Sequence, residues 1–363
     1  ILYSLGKYIQ LLIFPHPLSH DYYPRAVEIM QFSDWQVLLS LGAHLAIGIY
    51  ALVQLPKKDP VSFGIIWYFA TLSIASNIFF SVGTNMNERF IFIPSIGFAL
   101  VIAILSYRFA NRNTAAKKLK SLNHLNSVLI ILGVVLLLFS AKTVHRNTVW
   151  KNNYILFTTD VRHQPNSAKL RNSAAGAMIE NAQSPGISNV DKSKELQQAV
   201  AHLKEAIRIH PGYKNAYLLM GNAYNYLKEY ESSIRAYQNA LRLDPNYPEA
   251  TNNLAITYRN AGQYFGEEKN DLQKALQYLN KAFEMNPNEY ETLRLLGVAY
   301  GVNGQGQKAI NFFEKAAAMK PDDANLWANL AAAYQQQGME AKAQEAMQKA
   351  LAINPNIMQE RGN

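Results

Sequence analysis

Prolines recur in the second half of the chain, at positions 165, 211, 245, 287, 321 and 355. Three of the five intervals are 34 residues long, and the other two are 46 and 42 residues long. Proline cannot continue the hydrogen-bond ladder of a helix, so each of these residues is expected to follow the end of a helix. A fixed interval of this length predicts a series of similar helical units that stack on one another.

The residues between these prolines match the tetratricopeptide repeat, a pair of helices about 34 residues long. In one unit the large side chains of Tyr217 and Tyr237 stand at the positions expected to fill the space between the paired helices. Gly221 and Ala240 stand where small residues would let the helices approach each other. Two further units, 293–321 and 327–355, have the same spacing.

Insertions between the two helices of a unit explain the two longer intervals. One insertion lies near QYFGEEKN in the unit 251–287, and the other lies in NAQSPGISNVDKS in the unit 171–211. The unit 171–211 departs furthest from the repeat pattern. The prediction is therefore five units, of which three are regular.

Four apolar runs in the first half could cross a bilayer, whose hydrocarbon core needs about 20 residues of helix. They contain almost no charged residues, which argues against four buried helices of a soluble protein. The runs are 35–55, 63–80, 90–109 and 126–141, and residues 1–14 resemble the end of a fifth.

Basic residues indicate how these runs are oriented. The loop PKKDP at 56–60 and the stretch RFANRNTAAKKLK at 108–120 hold most of the positive charge of the first half. Both are predicted to face the cytoplasm, because cytoplasmic loops carry an excess of Lys and Arg. The loops 15–34 and 81–88, and everything after residue 142, would then be extracytoplasmic, in the periplasm or the ER lumen.

The sequence therefore predicts an all-α protein, in which several transmembrane helices precede a tetratricopeptide-repeat solenoid. The predicted parts are a membrane segment 1–141, a linker helix 142–165 and a repeat domain 166–363. The net charge of +9 is explained by membrane-flanking loops better than by nucleic-acid binding. The chain has no cysteine, which excludes disulfides and cysteine-ligated metal sites.

No residue of this chain is predicted to be catalytic and no cofactor is predicted. The sequence lacks a Gly-rich phosphate loop, a histidine pair with metal spacing and an order of residues typical of nucleophilic catalysis. His16, His20 and Asp21 in PHPLSHDYY could together ligate a metal ion. Histidines close together in a loop are more often solvated, so no metal site is predicted.

Two polar clusters lie in the loops predicted to face outside, at 16–21 and 85–89. An arginine at this depth can form forked hydrogen bonds with a lipid phosphate. We therefore predict a lipid-phosphate site formed by Arg89, Glu88, Asp21 and His16. The alternative is an internal ion pair, either Glu88–Arg89 or Arg89–Asp21, that holds the loops together.

The repeats offer a second kind of site. Asn253 in NNLA and Asn329 in ANLA occupy equivalent positions in two units. Together with Asn222 they are predicted to line a peptide-binding groove on the concave face, because an amide can pair with both the N–H and the C=O of an extended peptide. The alternative is that they are ordinary surface residues of helices.

The segment NERFIFIPSIGF, residues 87–98, followed by repeats is a more specific signal than the repeats alone. With residues 14–22 and the stretch VWKNNYILFTTDVRHQPNSAK, it resembles the C-terminal half of the transmembrane and tetratricopeptide-repeat O-mannosyltransferases and their bacterial relatives. The residues that match the family segment are Glu88, Arg89, Pro94 and Ser95, while Phe92 stands where the family has tyrosine.

The resemblance implies a glycosyltransferase of the GT-C type, which transfers a sugar from a polyprenyl-phosphate donor to a Ser or Thr hydroxyl of a protein. In that family the acidic base lies in an outside loop several helices upstream, so this chain alone is expected to be inactive. Arg89 would hold the donor phosphate, Glu88 would orient Arg89, and the repeats would recruit the acceptor protein.

Two other functions fit the same sequence. One is a non-enzymatic, membrane-anchored scaffold whose repeats bind another protein. The other is a polymerase or ligase of surface polysaccharide, which shares the plan of several membrane spans. All three would be integral membrane proteins in contact with lipid, and none would bind nucleic acid.

Overall fold

The computed structural model describes residues 1–23, 26–79, 86–111 and 118–362. Within these ranges all regular secondary structure is helical, which confirms the predicted all-α fold. The chain divides into two compact units, Ile1–Tyr213 and Lys214–Asn363. The first unit contains the apolar runs, and the second contains the regular repeats.

In the described part of the first unit, five α-helices come first. They are α1 (Leu2–Ile13), α2 (Trp35–Gln54), α3 (Pro60–Ser73), α4 (Pro94–Asn111) and α5 (Lys118–Val149). Asp59 caps α3, because its Oδ1 accepts a hydrogen bond of 3.1 Å from the backbone N–H of Val61. Pro60 suits the first position of the helix, where a backbone N–H would have no partner.

Among the described residues, two helical segments are long and apolar enough to cross a membrane, Trp35–Lys57 and Val128–Val149. The apolar helices Pro60–Ser73 and Pro94–Phe109 are shorter. A short 3-10 helix, Glu88–Ile91, precedes α4, so the predicted run 90–109 begins before the helix does. The end of the run 63–80 and part of the basic loop, residues 112–117, lie outside the described residues.

Helices α3 and α4 approach each other closely at two glycines. A Cβ atom on Gly97 would overlap the carbonyl oxygen of Gly64, and a Cβ atom on Gly64 would collide with the side chain of Val101. Small residues allow the backbones of membrane helices to pack closely. Gly97 belongs to the IPSIGF stretch, so this part of the sequence has a packing role.

The first unit ends with α6 (Asn153–His163), α7 (Ala168–Asn181) and α8 (Asn189–Ile209). Asn152 caps α6 through a hydrogen bond of 2.8 Å from the N–H of Ile155 to its Oδ1. The stretch predicted as one linker helix, 142–165, is therefore divided between the end of α5 and α6. A turn at 150–152 separates them.

The second unit consists of helix pairs. The helices are α9 (Lys214–Tyr226), α10 (Tyr230–Leu243), α11 (Pro248–Glu267), α12 (Leu272–Met285), α13 (Tyr290–Val302), α14 (Gly306–Met319), α15 (Ala324–Gln336), α16 (Glu340–Ile353) and α17 (Ile357–Gly362). The first eight of these helices form four pairs, and α7 with α8 forms an earlier pair in the first unit. Helical pairs therefore begin near residue 166, although the compact units divide later, at Tyr213.

Close contacts within the pairs follow the predicted spacing of small and large residues. A Cβ atom on Gly221 would lie 2.5 Å from Cε1 of Tyr237, and a Cβ atom on Gly297 would lie 2.5 Å from Cδ1 of Phe313. Tyr237 and Phe313 are buried in the cores of their pairs. The predicted register of the repeats is therefore confirmed at these positions.

The insertion near QYFGEEKN lengthens a helix. Helix α11 has 20 residues, whereas its counterpart α9 has 13 residues. The additional turns bring Tyr264 and Phe265 beside Tyr230 and Tyr278, with ring centroids 5.3 Å and 5.5 Å apart respectively. The insertion thus adds an aromatic extension to this pair.

Candidate functional site

The loop 14–23 between α1 and α2 brings together most of the residues predicted for the lipid-phosphate site. It lies against the 3-10 helix before α4 and against α6 and α7. Ser19 and Asp21 are buried in it, while His16 is exposed. Residues far apart in the sequence therefore meet at this loop.

Glu88 binds the loop directly. Its Oε1 accepts a hydrogen bond of 2.5 Å from the N–H of Ser19 and one of 2.6 Å from the hydroxyl of Tyr22. Burial raises the pKa of Glu88, and the hydrogen bonds from Tyr22 and Ser19 oppose that rise. Glu88 is thus a partner of the loop, and no ion pair joins it to Arg89 among the described residues.

Arg89 has a different environment from Glu88. Its side chain is exposed, and its guanidinium lies 5.5 Å from the centroid of the Phe90 ring. Within the described part of the chain it forms no ion pair with Glu88 or Asp21. Oε1 of Glu88 is directed at Ser19 and Tyr22 and not at Arg89, so the expectation that Glu88 orients Arg89 stays a prediction that these contacts do not support. Asn85, from the same predicted cluster, lies outside the described residues.

Asp21 forms an ion pair with the repeat region. Its Oδ2 lies 2.5 Å from Nζ of Lys169 in α7, and its Oδ1 accepts a hydrogen bond of 2.7 Å from the N–H of Tyr23. Ser167, at the start of α7, donates a hydrogen bond to the carbonyl oxygen of Tyr23. Asp21 therefore connects the loop to α7.

Asp160 in α6 is a central residue of the site that the sequence did not single out. Its side chain is fully buried and accepts two hydrogen bonds from Arg146, of 2.5 Å and 2.8 Å. It also accepts hydrogen bonds from the backbone N–H of His20 at 2.8 Å and from its Nδ1 at 3.0 Å. Burial would raise the pKa of Asp160, but the hydrogen bonds from Arg146 and His20 lower it to about 2.

Asn87 is a second residue that the prediction missed. Its backbone N–H donates to the hydroxyl of Tyr8 in α1 at 3.1 Å, and its Nδ2 donates to the carbonyl oxygen of His20 at 3.3 Å. Its Oδ1 accepts from the N–H of Arg89 at 3.1 Å, which caps the 3-10 helix. An Asn directly before Glu88–Ile91 was a signal for this cap.

His16, His20 and Asp21 do not converge on one point. His20 bonds to Asp160, Asp21 bonds to Lys169, and Nδ1 of His16 lies 3.3 Å from Nζ of Lys142. The described residues include no group of three His, Asp or Glu side chains that could hold a metal ion. These three residues therefore have separate structural roles.

A polar cleft opens beside the loop. It has a volume of about 240 Å³, and residues from α1, the loop and the end of α6 line it, among them Lys7, Gln10, His16, Tyr22 and Gln164. A second cavity, of about 530 Å³, lies between α1, α2, α3 and α4 and is lined almost entirely by apolar side chains. One cavity thus suits a polar group, and the other suits a hydrocarbon chain.

In the second unit, the predicted amides interact with each other. Oδ1 of Asn222 accepts a hydrogen bond of 2.9 Å from Nδ2 of Asn253 and one of 2.6 Å from the hydroxyl of Tyr237. Asn260 in α11 similarly donates to Oδ1 of Asn225 at 3.5 Å. These side chains form a half-buried row of amides along α9 and α11. Asn329 is half-buried on α15.

Comparison with known proteins identifies the repeats. Three models of the tetratricopeptide repeat match residues 214–288, 267–324 and 302–360. Among solved structures, YrrB, described as a TPR protein with an unusual peptide-binding site, is 22% identical, with a TM-score of 0.40, over 56% of this chain and 94% of that chain. A MamA structure is 18% identical, with a TM-score of 0.38, over 52% of this chain and 94% of that chain.

Curated relatives are named as protein O-mannosyl-transferases. TMTC3 of Mus musculus is 24% identical over 299 residues, which cover 79% of this chain and 30% of the relative. Tmtc3 of Drosophila melanogaster is 27% identical over 241 residues, which cover 65% of this chain and 24% of the relative. TMTC3 of Homo sapiens is 27% identical over 222 residues, which cover 59% of this chain and 22% of the relative. The chain is therefore homologous to these transferases and spans less than a third of the length of each.

Proposed function

We propose that this chain is the C-terminal portion of a membrane glycosyltransferase of the GT-C type, which transfers a sugar from a polyprenyl-phosphate donor to Ser or Thr of a protein. The observation that carries the proposal is the extent of the similarity to an O-mannosyl-transferase. The aligned 79% of the chain is more than the repeat region 166–363 contains. The similarity therefore reaches into the membrane half, which a shared repeat alone would not explain.

The loop site supports a role for the membrane half in holding the donor. Arg89 and His16 are exposed, and they would contact the donor phosphate. Glu88 and Asp21 would act indirectly, because their carboxylates already bind Ser19, Tyr22 and Lys169 and would repel a phosphate. In this proposal the two acids shape the loop, and Arg89 and His16 bind the ligand.

The repeats would hold the acceptor protein. Stacked repeats form extended concave surfaces that bind peptides. The amide row of Asn222 and Asn253, with Asn329 further along the chain, would pair with the backbone of an extended segment. A peptide would have to replace the hydrogen bond between Asn222 and Asn253, so we expect weak binding that suits a substrate.

Sugar transfer by the longer protein tests the proposal. Membranes from cells that express it, and that lack other O-mannosylation enzymes, would be supplied with mannosyl-phosphoryl-polyprenol and a Ser/Thr-rich acceptor. Mass spectrometry should find hexose on acceptor hydroxyls only when the protein and the lipid-linked donor are both present. Transfer that persists without the protein, or no transfer with any acceptor, would count against a transferase and favour a scaffold.

A further inference from the structure

Three side chains that can carry positive charge lie close together, and one of them, His16, lines the polar cleft. Nζ of Lys142 in α5 lies 3.3 Å from Nδ1 of His16 in the loop. The ring centroid of His16 lies 6.4 Å from that of His163, the last residue of α6. Helix α5, helix α6 and the loop each contribute one member, so only the folded unit assembles this cluster.

The hydrogen bond between Lys142 and His16 fixes which protons the cluster can offer. An ammonium group can only donate, so Nδ1 of His16 must accept and the proton of the neutral ring must be on Nε2. His16 therefore presents an Nε2–H donor, and Lys142 keeps two further N–H donors. The cluster is rich in donors.

None of the ion pairs among the described residues includes Lys142, His16 or His163. The buried carboxylate of Asp160 does act on His163, but it is bound by both Nη atoms of Arg146 and by His20. Glu28 lines the cleft but is exposed, and Lys7 lines the cleft as well. Partial desolvation lowers the pKa of His163, Asp160 opposes this shift, and the positive charges of Arg146 and Lys142 add to it.

The cluster lies where lipid headgroups are expected. Lys142 is the first charged residue after the apolar stretch that begins the candidate span Val128–Val149. Cations at the end of a membrane helix meet the phosphate layer of the bilayer. The cleft of about 240 Å³ next to His16 provides room for the group that the cations would bind.

We propose that Lys142, His16 and His163 form a binding site for the phosphate group of a membrane lipid. The shared chemistry is a phosphate monoester or diester, held by N–H donors from three segments of the chain. That this lipid is the sugar donor rests on the function proposed above. Lys142 and His163 are additions to the predicted site, and the proposal does not require Arg89.

Binding of short phosphates to the purified chain tests the site without any sugar transfer. The chain would be placed in nanodiscs of phosphatidylcholine and titrated with citronellyl phosphate, citronellol or inorganic phosphate. Citronellyl phosphate should bind and citronellol should not. The variant Lys142→Met should weaken the binding by about tenfold or more, the loss expected for a charge-assisted hydrogen bond.

Matched variants separate the cluster from general surface charge. Lys151→Met removes an exposed lysine two residues beyond the end of α5 and should leave binding unchanged. His16→Gln and His163→Gln alter exposed side chains, so they provide a test even if Lys142→Met fails to fold. Each should weaken the binding of citronellyl phosphate.

The outcomes are distinct. If inorganic phosphate binds as tightly as citronellyl phosphate, the site is a phosphate site, but the proposal that its ligand is a lipid is overturned. Equal binding by the wild type, His16→Gln and His163→Gln would overturn the site. Because binding is measured without transfer, a chain that binds citronellyl phosphate while the longer protein transfers no sugar would contradict the proposed function and leave this site standing.

Discussion

Arg146 binds Asp160 through two parallel hydrogen bonds, from Nη1 to Oδ1 at 2.5 Å and from Nη2 to Oδ2 at 2.8 Å. The side chain of Asp160 is fully buried, and that of Arg146 is 13% exposed. The pair joins the end of α5 to α6 and, through His20, to the loop after α1. It therefore holds together the segments that form the candidate site.

Breaking this pair should strongly destabilise the first unit. Arg146→Met leaves a buried carboxylate without its cation, for which the expected cost is about 3–5 kcal/mol. The midpoint of thermal unfolding, measured in detergent, should fall accordingly. Arg162→Met, which removes an exposed arginine of the same region, is the control and should change stability by less than about 0.5 kcal/mol. Equal midpoints for the two variants would contradict the structural role of the pair.

Glu88 and Arg89 should respond differently to substitution although they are adjacent. Glu88→Gln weakens two hydrogen bonds to the loop, so we expect a loss of about 1–3 kcal/mol. Arg89→Met should leave stability nearly unchanged, because its exposed guanidinium forms no ion pair with a described carboxylate. The loss of unfolding free energy in the double variant should equal the sum of the losses in the two single variants. A double variant that is more stable than this sum predicts would reveal an ion pair between Glu88 and Arg89.

The same variants test the proposed donor contact. In the longer protein, Arg89→Met should reduce sugar transfer while folding is retained. Arg89→Lys should restore only part of it, because an ammonium keeps the charge but loses the forked geometry. Full transfer by a stable Arg89→Met protein would remove Arg89 from the site.

Two glycines in α13 allow a matched test of the repeat packing. A Cβ atom on Gly297 would collide with the ring of Phe313, so Gly297→Ala should destabilise the second unit by about 1–3 kcal/mol. A Cβ atom on Gly301 would lie 3.7 Å from that of Ala309, an ordinary contact. Gly301→Ala should therefore be neutral or should stabilise the helix by up to about 1 kcal/mol. Chemical denaturation of residues 214–363 would measure both, and equal effects would show that the packing contact is incorrect.

His202 should make the first helix pair sensitive to mild acid. The pKa of His202 is lower than its usual value near 6.5. Burial is the main cause, and the positive charge of Arg171 contributes as well. The folded state thus favours the neutral ring, and the stability from this group is present above about pH 6.5 and is lost as the pH falls. Hydrogen exchange of α7 and α8 should accelerate between about pH 7 and pH 5, after correction for intrinsic exchange. His202→Gln should reduce this dependence, and an unchanged dependence would exclude His202 as its source.

The orientation of the chain in the membrane can be tested with reporters. The basic loops predict that residues 142–363 are extracytoplasmic. A reporter that is active only in the periplasm should therefore work when fused after residue 363, and a reporter that is active only in the cytoplasm should not. The reverse result would place the repeats in the cytoplasm and would exclude a lipid-linked donor on their side of the membrane.

The sequence predicted the repeats well and the site only in part. The proline interval and the positions of Gly221 and Tyr237 gave the correct helix pairs, because a helix pair depends on residues within about 34 positions of each other. The apolar runs likewise coincide with helices. The bounds of these helices were less accurate, since apolar content does not show where a helix such as α3 ends.

By itself the sequence determined the periodic part of this protein: helical units, their spacing and the small residues at their contacts. The tertiary structure decided the partners at the loop, such as His20 and Asp160, which are 140 positions apart. It is also the tertiary structure that places Glu88 against Ser19 and Tyr22 and leaves the side chain of Arg89 exposed. The physical reason is that the partners of a charged group depend on which distant segments pack beside it, and no local spacing encodes that choice.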